Sequence, residues 1–261
     1  MTDSRADKSL RALTIAGFDP SGGAGVLADA RTFAAFGLEA SAVITSLAFQ
    51  NRNHVFGATH QTGESVRSQL LPLLETYRFA CTKTGMLPTR EVVMEVAGLF
   101  REIDLPRPVV DPVIMSSSGQ PLMEENAIGA LISELMPLAC VVTPNISEAE
   151  TFAGITITSE ADMWHAAAII RKTGARAVLI KGGHLTGDAI DVLNNEGKVT
   201  VFRETRVNGA ELHGSGCVLS AAIAAGLGKG MALEDSVGAA KSFVLEAIRN
   251  SALVGGKAQE I

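Results

Sequence analysis

Charged residues are scarce: Asp, Glu, Lys and Arg make up only 19% of the 261 residues, while hydrophobic types reach 47%. Ordinary globular chains carry roughly 25% charge, so this composition excludes disorder and implies a large buried core. There is no cationic excess either, because 22 Lys and Arg face 28 Asp and Glu for a net charge of −6. Nucleic acid and anionic membrane surfaces are therefore excluded as general partners. Cysteine is rare and odd in number, and Cys81, Cys140 and Cys217 show neither a disulfide framework nor metal-ligand spacing. A cytoplasmic protein is the expectation. Long apolar runs are missing too: Leu212–Gly228, the longest stretch free of Asp, Glu, Lys and Arg, is broken by His, Ser and Gly. It falls short of the roughly 18 apolar residues of a membrane span. Residues 1–9 have no apolar centre, which argues against a signal peptide, and read as a flexible tail.

What is present is a rhythm of short apolar runs and longer segments of helical period, the pattern of a parallel β/α sheet. Strands are expected at Ala12–Ala16, Ala40–Thr45, Phe79–Lys83, Pro108–Asp111, Cys140–Thr143 and Ala177–Lys181. Helices fall between them near 24–36, 63–76, 89–103, 125–136, 147–153 and 160–173, and two more, at 216–228 and 234–250, close the chain. Asp188–Val192 and Lys198–Arg203, around Asn194–Gly197, read as a late antiparallel hairpin. No linker or repeat divides the chain, so one α/β domain of three layers is expected. In such sheets ligands sit beyond the carboxyl ends of the strands.

Five segments sit there. Gly17–Gly25, GFDPSGGAG, follows the first strand; it is either a close backbone approach to a ligand or a tight turn capped by Asp19 or Ser21. His213–Cys217, HGSGC, opens a helix, where Gly214, Ser215 and Gly216 leave N–H groups facing outward as an anion site or else only pack closely. Cys217 in that first turn is expected to have a lowered thiol pKa. Val109–Gly119 and Thr143–Glu148 each place an acid near a strand end, and Asp111 and Glu148 can hold Mg²⁺ through water or serve as caps. Ile180–His184, IKGGH, is a second place for phosphate to meet backbone.

Together, LTIAGFDPSGGAG, VITSLAFQN, KTGML, VVDPVIM, VVTPNISEAE, IKGGH and HGSGC, in this order over nearly the whole chain, resemble the hydroxymethylpyrimidine and phosphomethylpyrimidine kinases of thiamine biosynthesis. The resemblance implies a three-layer α/β/α ribokinase-like fold with a mostly parallel sheet and no separate lid domain. It also implies ATP with Mg²⁺ as cofactors and a small pyrimidine alcohol as substrate, while low aromatic content and apolar helices leave room for a homodimer. It assigns Cys217 as catalytic base where the wider superfamily carries Asp. Gln50 then reads the aminopyrimidine edge, a carboxamide being able to accept from the amino group and donate to the ring nitrogen. Asp19 and Gly17 join the substrate pocket, Met86 and Val113 wall the ring, and Asn145, Lys181, Gly183 and Lys241 serve the nucleotide.

The chain departs from that family at Phe18, Leu27, Ser117 and Glu211-Leu212, and in its tail VGGKAQEI. A lost cation at Ser117 and a gained carboxylate at Glu211 oppose anion binding. They are the reason to weigh a catalytically silent pyrimidine- or nucleotide-binding regulator beside the kinase. A pyridoxal kinase is the rival within enzymes. Trp164 and Tyr77 read as packing residues, and Cys81 and Cys140 as buried small hydrophobes.

Overall fold

The computed structural model describes residues 10–51, 54–116, 119–183, 188–205 and 214–257, with side chains to residue 250. The strands are β1 Arg11–Phe18, β2 Glu39–Gln50, β3 Val55–His60, β4 Cys81–Thr84, β5 Val109–Val110, β6 Val141–Val142, β7 Ala177–Lys181, β8 Ala189–Asn195 and β9 Lys198–Glu204. They form one sheet in the order β3-β2-β1-β4-β5-β6-β7-β8-β9. β2-β1-β4-β5-β6-β7 are parallel, and β3, β8 and β9 add antiparallel pairings at the two ends.

The pleat sends alternate residues to two cores. Leu13, Ile15, Val110, Val142 and Ile180 face the helices α2 Gly63–Thr76, α3 Arg90–Glu102, α4 Glu125–Ala130, α5 Ile146–Ala153 and α6 Glu160–Arg171. Ala12, Cys81, Val109, Val141 and Leu179 face α1 Gly25–Ala35, α7 Ser215–Gly228 and α8 Leu233–Lys257. The uncharged α7 is explained by its position: Ala221, Ala222, Ile223, Ala224 and Ala225 are all fully buried, so it has no solvent face.

Three elements differ from expectation. β2 runs on to Gln50 and β3 returns antiparallel beside it, pairing Ser46 with His60 and Leu47 with Thr59; Gly57 in the middle of β3 hides the strand pattern from a reading of propensity. The helix expected at 125–136 is α-helical only to Ala130, then widens to a π turn over Leu131–Leu135 and ends in a 3₁₀ turn, Met136–Leu138. Pro137 lacks the N–H that a continuing α-helix needs there. The last helix extends to Lys257, beyond the expected residue 250.

Consecutive strands run outward from β1 in one direction to β2 and in the other to β4. Such a reversal of strand order opens a crevice at the carboxyl ends, which is where α/β sheets bind ligands.

Candidate active site

Two glycine segments meet at that crevice. Gly25 has φ +60°, and a Cβ there would fall 2.2 Å from the Gly17 carbonyl oxygen; Gly214 has φ +76°, and its Cβ would fall 2.1 Å from the Gly23 carbonyl oxygen. Both positions therefore require glycine. The contact brings the β1–α1 turn against the start of α7, where Ser215, Gly216 and Cys217 are partly exposed. Among the described residues no side chain caps α7, and N–H groups at a helix start can meet an anion.

Asp19 organises the turn: Oδ1 accepts from Ser21 N at 2.8 Å, and Oδ2 from Ala24 N at 2.9 Å and Ser21 Oγ at 3.0 Å. The side chain of Gln50, at the end of β2, is among the influences that lower the Asp19 carboxyl. Burial pushes the Asp19 carboxyl up, but the Ser21 and Gln50 side chains and the two backbone donors outweigh it and hold it below the usual value. Gly17 and Met86 are neighbours, since a Cβ on Gly17 would lie 3.0 Å from the Met86 sulfur. Thr45 Oγ1 fixes the Met86 carbonyl at 2.6 Å. Met86 also lines a groove of about 360 Å³ between β3 and residues 120–124. Val113 has φ +21°, an uncommon conformation for a β-branched residue, and it lies in the turn that follows Asp111.

The charged half of the site is built on β5, β6 and β7. Lys181 Nζ donates to Asp111 Oδ1 at 2.9 Å, and the Cβ position of Gly216 is 3.1 Å from the same Nζ, so the ammonium stands beside the first turn of α7. Ser220 Oγ lies 3.2 Å from Asp111 Oδ2. Burial pushes the Asp111 carboxyl up, but Lys181, Lys83 and Ser220 bring it below its ordinary value. Glu148 and Asn145 form a capping box for α5: Asn145 N donates to Glu148 Oε2 at 2.8 Å, and Glu148 N to Asn145 Oδ1 at 2.9 Å. Glu148 Oε1 receives the Ile114 N–H at 3.2 Å. Of the readings the sequence left open, the geometry thus shows the cap directly. Burial pushes the Glu148 carboxyl up; Lys181 opposes and Asp111 adds to the rise. Two buried carboxylates, one of them paired with the Lys181 ammonium, are a donor set that would fit Mg²⁺ through water, because their oxygens already accept hydrogen bonds. Among the described residues, no group of three or more His, Cys, Asp or Glu converges as a direct metal cluster.

Lys241 was expected at the nucleotide, but its ammonium donates to Asp191 Oδ2 at 2.7 Å, Ala189 O at 2.8 Å and Phe202 O at 3.2 Å. All three N–H bonds are occupied by the β8–β9 hairpin. Asp191 Oδ1 in turn takes the Gly182 N–H at 3.0 Å, so Lys241 supports the Lys181–Gly183 strand end from behind. A Cβ on Gly183 would meet open space. Ser117, His184, Glu211, Leu212 and His213 lie outside the described residues.

Cys217 reverses the expectation of a lowered pKa. Burial pushes the thiol up to about 11; Lys83 and the Gly25 N–H lower it, Asp111 and Asp29 raise it further, and burial dominates. The helix terminus does not compensate for lost water and two neighbouring carboxylates.

Sequence reasoning missed Asp29 and gave Lys83 no role. Lys83 Nζ contacts both Asp29 oxygens, at 2.9 and 2.8 Å, and Thr14 Oγ1 donates to Asp29 Oδ2 at 2.6 Å. A lone acid on the apolar face of α1, and a Lys inside a strand run, were the available signals.

A nine-stranded α/β/α sheet with two glycine segments meeting at its strand-order reversal is the arrangement of a small-molecule kinase of ribokinase-like fold. The profile of the phosphomethylpyrimidine kinase family matches residues 19–261, and the chain belongs to that family. A hydroxymethylpyrimidine/phosphomethylpyrimidine kinase of Rhizobium meliloti is 42% identical over 239 residues, 91% of this chain and 90% of the relative. The crystal structure of a phosphomethylpyrimidine kinase from Clostridium difficile superposes with a TM-score of 0.82 at 36% identity, covering 92% of this chain and 100% of that one. A pyridoxal kinase from Staphylococcus aureus, in complex with AMP-PCP and pyridoxal, gives a TM-score of 0.84 at 31% identity, over 93% and 89%.

Proposed function

We propose that the protein transfers the γ-phosphoryl group of ATP to the hydroxymethyl group of 4-amino-5-hydroxymethyl-2-methylpyrimidine, and to its monophosphate, in thiamine diphosphate biosynthesis. The observation that carries this reading is the Asp19–Gln50 pair beside Gly17 and Met86, set against the start of α7. A carboxamide beside this carboxylate has a donor and an acceptor to match those of an aminopyrimidine edge.

Phosphoryl transfer asks the protein chiefly for positioning and charge neutralisation. Lys181 and the N–H groups of Gly214–Cys217 face the transferring phosphoryl group, and Asn145 and Gly183 border the nucleotide. Asp111 and Glu148 would hold Mg²⁺, which would supply neutralisation of the phosphate charge. Cys217 accepts the hydroxyl proton in its thiolate form, and because burial pushes the thiol up to about 11 only a small fraction of the enzyme carries that base at neutral pH.

A second copy of the chain is the proposed assembly, supported by Leu47, Phe49 and Phe56 exposed on the β2–β3 end of the sheet, Phe56 to 74%. The cytoplasm is the proposed compartment, in keeping with three free thiols. A coupled ATPase assay over pyrimidine and pyridoxine alcohols tests the function. Turnover with the hydroxymethylpyrimidine supports it, preference for pyridoxal or pyridoxine gives the pyridoxal kinase reading instead, and no turnover with any alcohol gives the silent regulator.

A further inference from the structure

Ser220 is the one polar side chain among the described, buried residues of α7, and its neighbours Leu219 and Ala221 are apolar. Alanine is the better helix former at such a position, so the hydroxyl needs another account. Its oxygen has two acceptors in reach, the Cys217 carbonyl at 3.0 Å and Asp111 Oδ2 at 3.2 Å. A hydroxyl has a single proton to give. Carbonyls inside a helix take an N–H from the next turn, whereas a bond to an ionised carboxylate is the stronger one to make. Asp111 is held from its other side too: Lys181 Nζ donates to Oδ1 at 2.9 Å, and Thr143 Oγ1, just beyond β6, donates to the same oxygen at 3.3 Å. Oδ2 stands 3.9 Å from the point where a Cβ on Gly216 would lie. This oxygen therefore borders the first turn of α7, one helical turn from Ser220 on the same face.

We propose that Ser220 is a positioning residue for Asp111: its hydroxyl holds Oδ2 toward the first turn of α7, the orientation in which the carboxylate would serve the Mg²⁺ of a bound nucleotide. The inference rests on the reading of Asp111 as a metal carboxylate in the function proposed above, and not on which alcohol is phosphorylated. The terminal torsion of an aspartate is broad, so a carboxylate anchored at one oxygen alone swings easily. Anchored at both, by Lys181 and Thr143 on Oδ1 and by Ser220 on Oδ2, it keeps one orientation. Partners that orient a metal's ligands are typically worth roughly 10–100-fold in metal affinity or activity. A carboxylate acting through water belongs at the lower end of that range.

The test is calorimetric and needs no alcohol. The non-hydrolysable nucleotide AMP-PCP is titrated into the full chain with EDTA and again with excess Mg²⁺, and the ratio of the two Kd values measures how far the metal helps the nucleotide bind. Ser220→Ala suits the helix and leaves Lys181 and Thr143 on Asp111, so it is expected to fold. It should shrink the ratio by about tenfold while the Kd in EDTA stays put. Ser220→Cys keeps the volume with a poor donor and should shrink the ratio likewise. A wild-type ratio in Ser220→Cys beside a reduced one in Ser220→Ala would assign the effect to packing and overturn the proposal. A merely structural Ser220 would shift Tm and leave the ratio unchanged in both variants, which overturns it as well. Asp111→Asn separates the two levels of the argument. If it loses the metal's help and Ser220→Ala does not, Ser220 alone is removed from the site. A wild-type ratio near one, or a ratio that Asp111→Asn leaves unaltered, removes Asp111 from the metal and this inference with it.

Discussion

Gly214 and Gly23 touch through backbone alone: the Cβ that Gly214 lacks would fall 2.1 Å from the Gly23 carbonyl oxygen. The start of α7 is thereby seated on the turn that carries Asp19, and the two glycine segments share one wall.

Gly214→Ala is expected to fail on two counts. An L side chain at φ +76° costs about 1–2 kcal/mol, and the clash pushes the start of α7 from the turn. Misplacing reacting groups by about 1 Å can cost 10²-fold in rate. Calorimetry should show a lower Tm and kinetics a kcat reduced by that order. Wild-type values of both would mean that the two glycine segments do not form one site.

Gln50→Leu is expected to raise KM for the hydroxymethylpyrimidine far more than KM for ATP, with a loss of about 1–3 kcal/mol from unpaired polar ring atoms. Steady-state kinetics with each substrate varied in turn give the comparison. An unchanged pyrimidine KM would remove Gln50 from the pocket.

Much of this was legible in the chain because parallel strands buried on both faces write themselves as short apolar runs, and glycines that permit backbone contact stand out after them. β3 was not legible: it is an end strand with a glycine at its centre, and its outward residues alternate weakly. Asp29 was hidden because its partner Lys83 lies 54 residues away, and a buried ion pair has no local spacing rule. Lys241 was placed by family likeness alone, and what its ammonium meets depends on how the β8–β9 hairpin folds back, which no motif encodes. The Cys217 pKa was misjudged because the helix terminus is visible in sequence, whereas burial and the carboxylates across the sheet are not.

Glu148→Gln is expected to raise the Mg²⁺ concentration needed for half-maximal activity. It also turns an amide N–H₂ toward one of two backbone donors, Asn145 N and Ile114 N, at a cost of about 1–3 kcal/mol. Thermal melts and Mg²⁺ titrations separate the effects. A lower Tm with a superimposable Mg²⁺ curve would leave Glu148 as a cap alone.

Lys241→Met is expected to destabilise the fold by about 3–5 kcal/mol, because Asp191 is left buried without its counter-ion. Adding Asp191→Asn should restore much of that loss. If the single variant melts like the wild type and only KM for ATP rises, Lys241 serves the phosphates directly.

The last expectation concerns Cys217 itself. With its pKa pushed up to about 11, the thiolate is only about one part in 10⁴ at pH 7. Iodoacetamide should therefore modify the free enzyme slowly, with a rate climbing about tenfold per pH unit between 7 and 10 and showing no plateau. Bound pyrimidine should slow it further by covering the sulfur. General-base assistance is typically worth about 10²–10⁴-fold, so Cys217→Ser should lose kcat within that range while substrate affinity barely moves. Cys217→Asp, which restores the base of the wider superfamily, should recover part of the loss. A plateau in the alkylation rate near neutral pH would show that the helix terminus prevails over burial after all. Wild-type turnover by Cys217→Ser from pH 6 to 9 would make Cys217 a packing residue and leave proton removal to the substrate oxygen's own acidity in the transition state.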